Sequence, residues 1–418
     1  MIIVGGGLGG LLAAALASRE HDVTLFERAP CLGGRFRNIE HDGHVLTTGA
    51  LHMVPHGSTG PLGRMLSSVG ANVRIVDSRP WGRFLVDGRV MRLSEIRRSL
   101  PLRERLNAAV LVARMRLGTG PDRPVDAFLS SLFKTPVVHD AARAVLGWSI
   151  SCAPSDVPTT ELYGIVKNIF RYGGPGVPVG GCGAVVDALR GVLERNGVAI
   201  RHERVNRISV DDGAVCGVET GEGIYEDNIV VSDAGIKQTI GLCPSGTFER
   251  PFIETVKSLP ESGGVKINVS TKDTLLDHTG VLFPLGTQRV EGVNQVTNVD
   301  PSLAPEGRHL VMFHQTLRGK HIRSEVERGI EDIEALMGER RFEVLCVQSY
   351  FGKNPVNRAA AGHDVDPSLP VRGLYVVGDS VKDVGGIEVD GIALGVEKMW
   401  DAMKMKMQKM GTPSSMRH

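Results

Sequence analysis

Five residues near the start of the chain, four of them glycines, have a spacing that suits phosphate binding. They form the pattern G-x-G-x-x-G and comprise Gly5, Gly7, Leu8, Gly9 and Gly10. In such a pattern the first glycine makes a tight turn, the second lets a pyrophosphate approach the backbone, and the third allows a helix to pack closely on a strand. Glu27 stands near the offset at which an acid accepts hydrogen bonds from ribose hydroxyls. The pattern and the acid together predict a dinucleotide-binding turn.

The residues around this turn predict the elements that position it. Residues 2–4 are β-branched, and apolar residues recur at helical spacing between Leu11 and Leu16. Residues 23–26 form a second strand-like run that ends at Glu27. The order is strand, turn, helix and strand, which points the N-terminus of the helix at the phosphates. The alternative interpretation is a close-packed unit of the same order that binds no ligand.

A second glycine pair with an arginine follows Glu27 and its neighbour Arg28, which is assigned to the same site. The pair is Gly33-Gly34-Arg35, and Gly49-Ala50 comes later in the chain. A nicotinamide dinucleotide has no obvious use for a second clamp, whereas a cofactor that continues toward a flavin does. Arg35 can make a charge-assisted contact with a pyrophosphate. These residues favour FAD over NAD.

Taken together, these motifs resemble the FAD-binding opening of the amine oxidase and phytoene desaturase superfamily. The turn at residues 178–183 and the helix after it are similar to that family's P-x-G-G segment. Residues 198–234 form short β runs typical of a meander, with Val205 on the first strand and Ala234 at the end. The resemblance implies that Val205 contacts the adenine through its backbone.

The C-terminal part is similar to the last FAD motif of the family. A buried strand ends at Gly378-Asp379, and Gly386-Ile387-Glu388 precedes a helix. The resemblance implies that Asp379 accepts a hydrogen bond from the ribityl chain and that a helix beginning near Gly386 faces the pyrimidine edge of the flavin. A helix N-terminus stabilises the negative charge of reduced flavin there. Some amine oxidases attach the flavin through a thioether to a cysteine of this last motif. No cysteine follows Cys346 in this chain, so the FAD is expected to be non-covalent.

The predicted fold is α/β. A Rossmann-type (GR2-like) FAD-binding domain is built from the discontinuous segments 1–75, 176–240 and 345–418, because the cofactor motifs must meet in space. The insertions 76–175 and 241–344 form an α+β substrate domain with a mixed sheet. Substrate usually binds where two domains meet.

Two side chains are candidates for catalysis. Lys266 alternates with the apolar residues of the stretch 263–269, so it lies on the opposite face of that strand. In amine oxidases a strand lysine at a similar place holds a water near flavin N5, and the alternative is a solvent-facing lysine. His52 follows Gly49-Ala50, which the family places beside the isoalloxazine. It is either an acid or substrate hydrogen-bond donor, or a packing histidine.

The substrate is inferred from the resemblance and from one departure. The stretch 386–391 has no aromatic residue, although amine oxidases place one there. We therefore expect a lipophilic, isoprenoid-like substrate that is dehydrogenated or, in the reverse direction, saturated by hydride exchange with flavin N5. A flavin amine or amino-acid oxidase and a non-catalytic flavin-binding partner protein are the alternatives. The electron acceptor is not specified.

Composition limits the partners. The formal charge of the chain is +1, so we expect no nucleic-acid partner. Its six scattered cysteines match no metal or disulfide spacing, which predicts no metal and a reducing, cytoplasmic location. Residues 102–117 form an apolar helix with arginines around it. This helix is either a peripheral membrane contact at the mouth of a substrate tunnel or a capping helix with a solvated basic rim.

Overall fold

The computed structural model describes residues 1–117, 121–319 and 321–411, so the end of the predicted cofactor domain, 412–418, lies outside the described residues. The strands are β1 (Ile2–Val4), β2 (Thr24–Phe26), β3 (Asn38–His41), β4 (His44–Thr47), β5 (Ile75–Asp77), β6 (Gly82–Val86), β7 (Arg89–Met91), β8 (Gly176–Pro178), β9 (Ala199–Arg201), β10 (Arg207–Asp211), β11 (Ala214–Glu219), β12 (Ile224–Glu226), β13 (Val230–Ser232), β14 (Gly264–Thr271), β15 (Val281–Pro284), β16 (Gly292–Gln295), β17 (His309–Thr316), β18 (Phe342–Tyr350) and β19 (Leu374–Val376).

The helices alternate with these strands in the N-terminal part and cluster between β7 and β8. They are α1 (Leu8–Ala17), α2 (Pro61–Ser68), α3 (Leu93–Ser99), α4 (Leu102–Leu117), α5 (Val125–Leu132), α6 (Pro136–Ile150), α7 (Thr159–Tyr172), α8 (Cys182–Arg195), α9 (Ile236–Leu242), α10 (Arg250–Ser258), α11 (Ile322–Met337) and α12 (Glu388–Gly411).

A five-stranded parallel sheet carries the dinucleotide motifs. Its strand order is β19-β13-β1-β2-β9, and every pair in it is parallel. These strands come from three separated parts of the chain, and α1, α8 and α12 pack together beside them through a continuous apolar core. The prediction of an α/β, Rossmann-type fold is confirmed. The strands are apolar on both faces because a parallel sheet is covered by other elements on each side.

A seven-stranded mixed sheet lies in the second part of the molecule. Its order is β18-β14-β17-β16-β15-β6-β7, and the β15–β6 pair is parallel while the other pairs are antiparallel. The predicted boundary between residues 344 and 345 falls inside β18. That position is wrong as an element boundary, because β18 pairs with β14 from Phe342 to Tyr350 as one strand.

Two smaller corrections concern the cofactor segments. Val205 lies between β9 and β10, not on a strand. The meander itself is β10-β11-β12, and β13 leaves it to join the parallel sheet. Within the described residues, no helix has both the length and the apolarity needed to cross a membrane.

The third glycine of the first turn gives a direct test of this packing. An added Cβ at Gly10 would overlap the carbonyl oxygen of Gly5. Gly10→Ala should therefore lower the free energy of unfolding by about 1–3 kcal/mol, measured by urea denaturation. The control is Gly191→Ala in α8, where the added Cβ meets only the Arg195 guanidinium at 3.4 Å. The control should be neutral or gain up to about 1 kcal/mol, and equal stability of both variants would contradict the close contact.

Candidate functional site

A cleft of about 940 Å³ opens at the carboxyl ends of the parallel strands β1, β2, β13 and β19. Ligands of open α/β sheets bind at this edge. Most of the predicted cofactor residues line the cleft, namely Gly5, Gly7, Leu8, Gly9, Glu27, Arg28, Gly33, Gly34, Arg35, Gly49, Ala50, Val205, Ala234, Gly378, Asp379 and Glu388. Three others do not line it, namely Gly10, Gly386 and Ile387.

The first turn brings the two glycine motifs together. Gly33 N donates to the carbonyl oxygen of Gly6 at 2.7 Å, so the second clamp packs directly on the first. Glu27 is buried at the end of β2 and accepts hydrogen bonds from the backbone N–H groups of Gly6 and Ala29, each at 2.7 Å. No side chain caps α1, whose N-cap residue is Gly7. The N-terminus of α1 therefore faces the cleft with its backbone.

Asp233 is a cleft residue that the sequence analysis did not assign. It follows β13, and an added Cβ at Gly7, Gly9 or Gly378 would come against its carboxylate oxygens. Burial, together with nearby Asp379, raises the pKa of Asp233 to about 7, although the Gly10 backbone N–H, Arg358 and Arg35 favour the ionised form. The carboxyl therefore carries a proton for much of the time near neutral pH, and it can donate a hydrogen bond to an anion. Its place after a third apolar strand was the available signal.

Asp379 bridges two arginines from distant parts of the chain. Its Oδ2 lies 2.5 Å from Arg35 Nη2 and its Oδ1 lies 3.0 Å from Arg358 Nη1. The backbone N–H of Arg358 also donates to Oδ2 at 2.9 Å. Burial alone would raise the pKa of Asp379, but Arg35 and Arg358 hold it at about 2. The carboxylate is thus ionised, and the roles inferred for Arg35 and Asp379 toward a cofactor remain predictions.

Glu388 begins α12 in a left-handed conformation with φ of 43°. The helix begins two residues after Gly386, near the predicted start, because Gly386 N donates back to Asp383 O and closes a turn. Ile387 is buried and packs into the apolar cluster of the helical region, which explains why it does not line the cleft. A positive φ in a glutamate is strained and persists only where its surroundings enforce it.

The carboxyl of Glu388 faces the cleft from this position. Asn357 Nδ2 donates to its Oε1 at 3.4 Å. Burial raises the pKa of Glu388 to about 7, opposed by Lys382 and Arg35 and supported by Asp379. Unlike Asp379, this carboxyl can hold or release a proton close to neutral pH.

Lys266 is completely buried, so the solvent-facing alternative is wrong. Its Nζ donates to the carbonyl oxygens of Thr47, at 2.7 Å, and Gly49. Tyr350 Oη donates to Gly49 O at 2.7 Å, and Gln348 Nε2 donates to Thr47 O at 3.1 Å. Burial lowers the pKa of Lys266 to about 7. Lys266 does not line the cleft, but the Thr47–Gly49 backbone that it contacts does so at Thr48 and Gly49.

His52 lies in the same buried layer. It is 2% exposed, and Thr47 N donates to its Nε2 at 3.4 Å. Burial, followed by the nearby Lys266, holds the pKa of His52 well below its ordinary value, so the ring is neutral. His52 does not line the cleft. This surrounding favours the packing interpretation over an acid.

Comparisons with known proteins agree with this architecture over nearly the whole chain. A family model described as an NAD(P)-binding Rossmann-like domain matches residues 3–69. The chain is 42% identical over 399 residues to an uncharacterized protein of Methanocaldococcus jannaschii, covering 95% of this chain and 97% of that protein. An oxidoreductase from Methanosarcina mazei has a crystal structure with a TM-score of 0.92 and 37% identity, covering 96% of this chain and 99% of that one.

More distant proteins share the fold. Putrescine oxidase with bound putrescine superimposes with a TM-score of 0.70 at 14% identity, covering 96% of this chain and 98% of that chain. Prolycopene isomerase of Arabidopsis thaliana is 29% identical over 161 residues, which is 35% of this chain and 27% of that protein. The cleft at the parallel strands and these relatives lead to one conclusion: the chain belongs to one family with the Methanosarcina mazei oxidoreductase and the Methanocaldococcus jannaschii protein, and it shares the fold of putrescine oxidase.

Proposed function

We propose that this protein is an FAD-dependent, phytoene-desaturase-like oxidoreductase that exchanges hydride with a lipophilic, isoprenoid-like substrate. The observation that carries the proposal is the convergence of three chain segments on one cleft. Residues of the first turn, the loop after β13 and the segment from Gly378 to Glu388 all line it. A nicotinamide dinucleotide bound to the β1–α1–β2 unit alone would leave the last of these segments without a ligand.

The residues present fit FAD. The uncapped N-terminus of α1 offers backbone N–H groups suited to a pyrophosphate, and Gly34 lies beside Gly7 in the same cleft. Asp233 would repel an anion if it were ionised, but its raised pKa lets the protonated carboxyl donate a hydrogen bond instead. Glu27 lies at the ribose end of the first turn. When bound, the flavin supplies hydride acceptance or donation at N5.

Residues of the chain would hold this cofactor in position, and one buried carboxyl would hold or release a proton beside it. The Asp379–Arg35–Arg358 bridge fixes one wall of the cleft. Glu388 can hold a proton near this bridge, at the start of α12. Lys266, Tyr350 and Gln348 fix the carbonyl oxygens of the Thr47–Gly49 loop, so they are positioning residues.

The proposed substrate class rests on the apolar part of the cleft. Leu51, Met53, Val389 and Ile392 line it, and the stretch 386–391 has no aromatic ring with which to cage an amine. The distant relative named as a prolycopene isomerase is consistent with an isoprenoid-like ligand.

An anaerobic absorbance spectrum tests the proposal. The purified protein should show an oxidised flavin band that a polyprenoid lipid extract bleaches and a panel of primary and secondary amines does not. Bleaching by amines alone would identify an amine or amino-acid oxidase. A non-catalytic flavin-binding protein would give two negative results. Neither the lipid extract nor the amines would reduce its flavin, and the lipid extract would not reoxidise flavin that had been reduced with dithionite. Absence of any flavin after gentle purification and FAD addition would overturn the cofactor assignment.

Lys266→Met tests the positioning of the Thr47–Gly49 loop. The substitution leaves two buried carbonyl oxygens without this donor and should cost about 1–3 kcal/mol of unfolding free energy. FAD should remain bound, while the rate of flavin reduction or reoxidation falls. The control is Lys272→Met, because Lys272 is exposed just beyond β14. Unchanged half-reaction rates in the Lys266 variant would contradict the role.

Glu388→Gln tests the buried carboxyl in the cofactor-free protein. Because the folded-state pKa of Glu388 is raised, its contribution to stability is present below the ordinary glutamate pKa and is lost as the pH rises through about 7. Unfolding free energies at about pH 5 and pH 8 should therefore differ less in the variant than in the wild type. Glu339→Gln, at an exposed site, should leave the difference unchanged. An unchanged difference in the Glu388 variant would contradict the assignment.

A further inference from the structure

Helix α4 exposes its larger apolar face. Leu102, Leu106 and Val110 are 71%, 61% and 51% exposed, and Ala109 and Ala113 beside them are also exposed. The opposite face is the buried one, where Glu104, Ala108, Leu111 and Met115 pack toward α7 and the helical core. A capping helix would bury its larger apolar stripe, so that interpretation does not describe α4.

Arginines border the exposed stripe on both sides. At 3.6 residues per turn, Arg103 and Arg114 fall along one edge of the stripe, and Arg105 and Arg116 fall along the other. All four are exposed. A central apolar stripe between two basic edges is the arrangement of a helix that lies in a bilayer interface.

The charge of this region is local and unpaired. Residues 82–117 contain nine arginines and three acidic residues, whereas the whole chain has a formal charge of +1. One of those acids, Glu104, is buried. Among the residues that the structure describes, none of the nine arginines forms an ion pair. Arg116 stacks on the Phe170 ring at 4.6 Å, and Arg105 Nε donates to Leu100 O.

We propose that α4 docks on the surface of an anionic phospholipid bilayer, with its axis parallel to the membrane plane. Leu102, Leu106 and Val110 would enter the boundary between headgroups and acyl chains, and the flanking arginines would contact lipid phosphates. A nucleic acid would use the arginines but would leave the leucines in water. This docking does not depend on the proposed hydride transfer.

The docking face is one helix away from the cofactor cleft. Helix α4 packs on α7, and α7 holds the loop before α12 through two side chains. Glu161 Oε1 accepts a hydrogen bond from Gly385 N at 2.7 Å, and Asn168 Nδ2 donates to Gly385 O at 2.9 Å. A bilayer seated on α4 would therefore lie next to the part of the molecule that shapes the cleft.

Vesicle flotation of the full chain tests the proposal. The wild type should float with phosphatidylglycerol vesicles at low salt, bind pure phosphatidylcholine vesicles far more weakly, and lose affinity as salt rises. The double variant Leu106→Glu and Val110→Glu should bind about tenfold more weakly or worse. Neutralising Arg103 and Arg105 to Gln should weaken binding by about fivefold per charge.

Matched variants separate docking from a general surface effect. Ile224 is 71% exposed on β12, so Ile224→Glu should bind as the wild type does. Arg323→Gln with Arg328→Gln, at exposed positions of α11, should do the same. Circular dichroism should show every variant folded, as expected for exposed sites.

Three results would overturn the proposal. The first is failure of the wild type to float with anionic vesicles at low salt. The second is unchanged binding of the Leu106/Val110 variant, which would mean that charge alone attracts the vesicles. The third is light scattering in which the wild type is a dimer and that variant a monomer, with no vesicle binding, which would assign the stripe to a contact between two copies of the chain.

Discussion

The carboxylate of Asp379 is the interaction on which the site depends. It joins Arg35, near the start of the chain, to Arg358, next to the segment that returns to the sheet as β19. Asp379 is 5% exposed, so the loss of its charge would leave two guanidinium groups without their carboxylate partner beside the cleft. Breaking such a pair costs more than the pair contributes on balance. The bridge therefore keeps distant segments in register around the cleft.

The two sheets have different tasks in the same site. The parallel sheet supplies the turns at its carboxyl edge, and those turns would offer backbone groups to the proposed dinucleotide. The mixed sheet lies behind the Thr47–Gly49 loop and holds its carbonyl oxygens with Lys266, Tyr350 and Gln348. Helix α7 holds the loop at Gly385 from another side. One wall of the cleft is thus set by elements that contribute no dinucleotide motif.

Much of the parallel sheet and its turns could be predicted from the residues, because local spacing carries the information. A few neighbouring residues in the sequence are enough to recognise a glycine that lets a helix or a phosphate approach closely. The same holds for an acid at the end of a strand. The α/β fold and the family resemblance followed from them. The burial of a side chain and its hydrogen-bond partners do not follow from local spacing. Alternation placed Lys266 on one strand face, but only tertiary packing shows that this face is buried.

Other features of the structure also differ from the sequence-based predictions because they depend on tertiary packing. Helical periodicity placed Leu102, Leu106 and Val110 on one face without indicating that this face is exposed, since the opposite face, which is buried, has fewer apolar residues. The start of α12 depends on a turn at Gly386 and on the strained backbone of Glu388, neither of which has a hydrophobic signal. Asp233 was visible as an acid after an apolar strand, but its role depends on contacts with three glycines that meet only in the fold.

Hydrogen–deuterium exchange with and without FAD tests whether one FAD site is built from these distant segments, because it reports on each chain segment separately. FAD should slow exchange together in the turn at Gly5–Gly10, in the Gly33–Arg35 clamp and in the segment from Gly378 to Glu388. NADP⁺ should not reproduce protection of the last segment. Protection confined to the first turn, whichever nucleotide is added, would contradict a single FAD site built from distant parts of the chain.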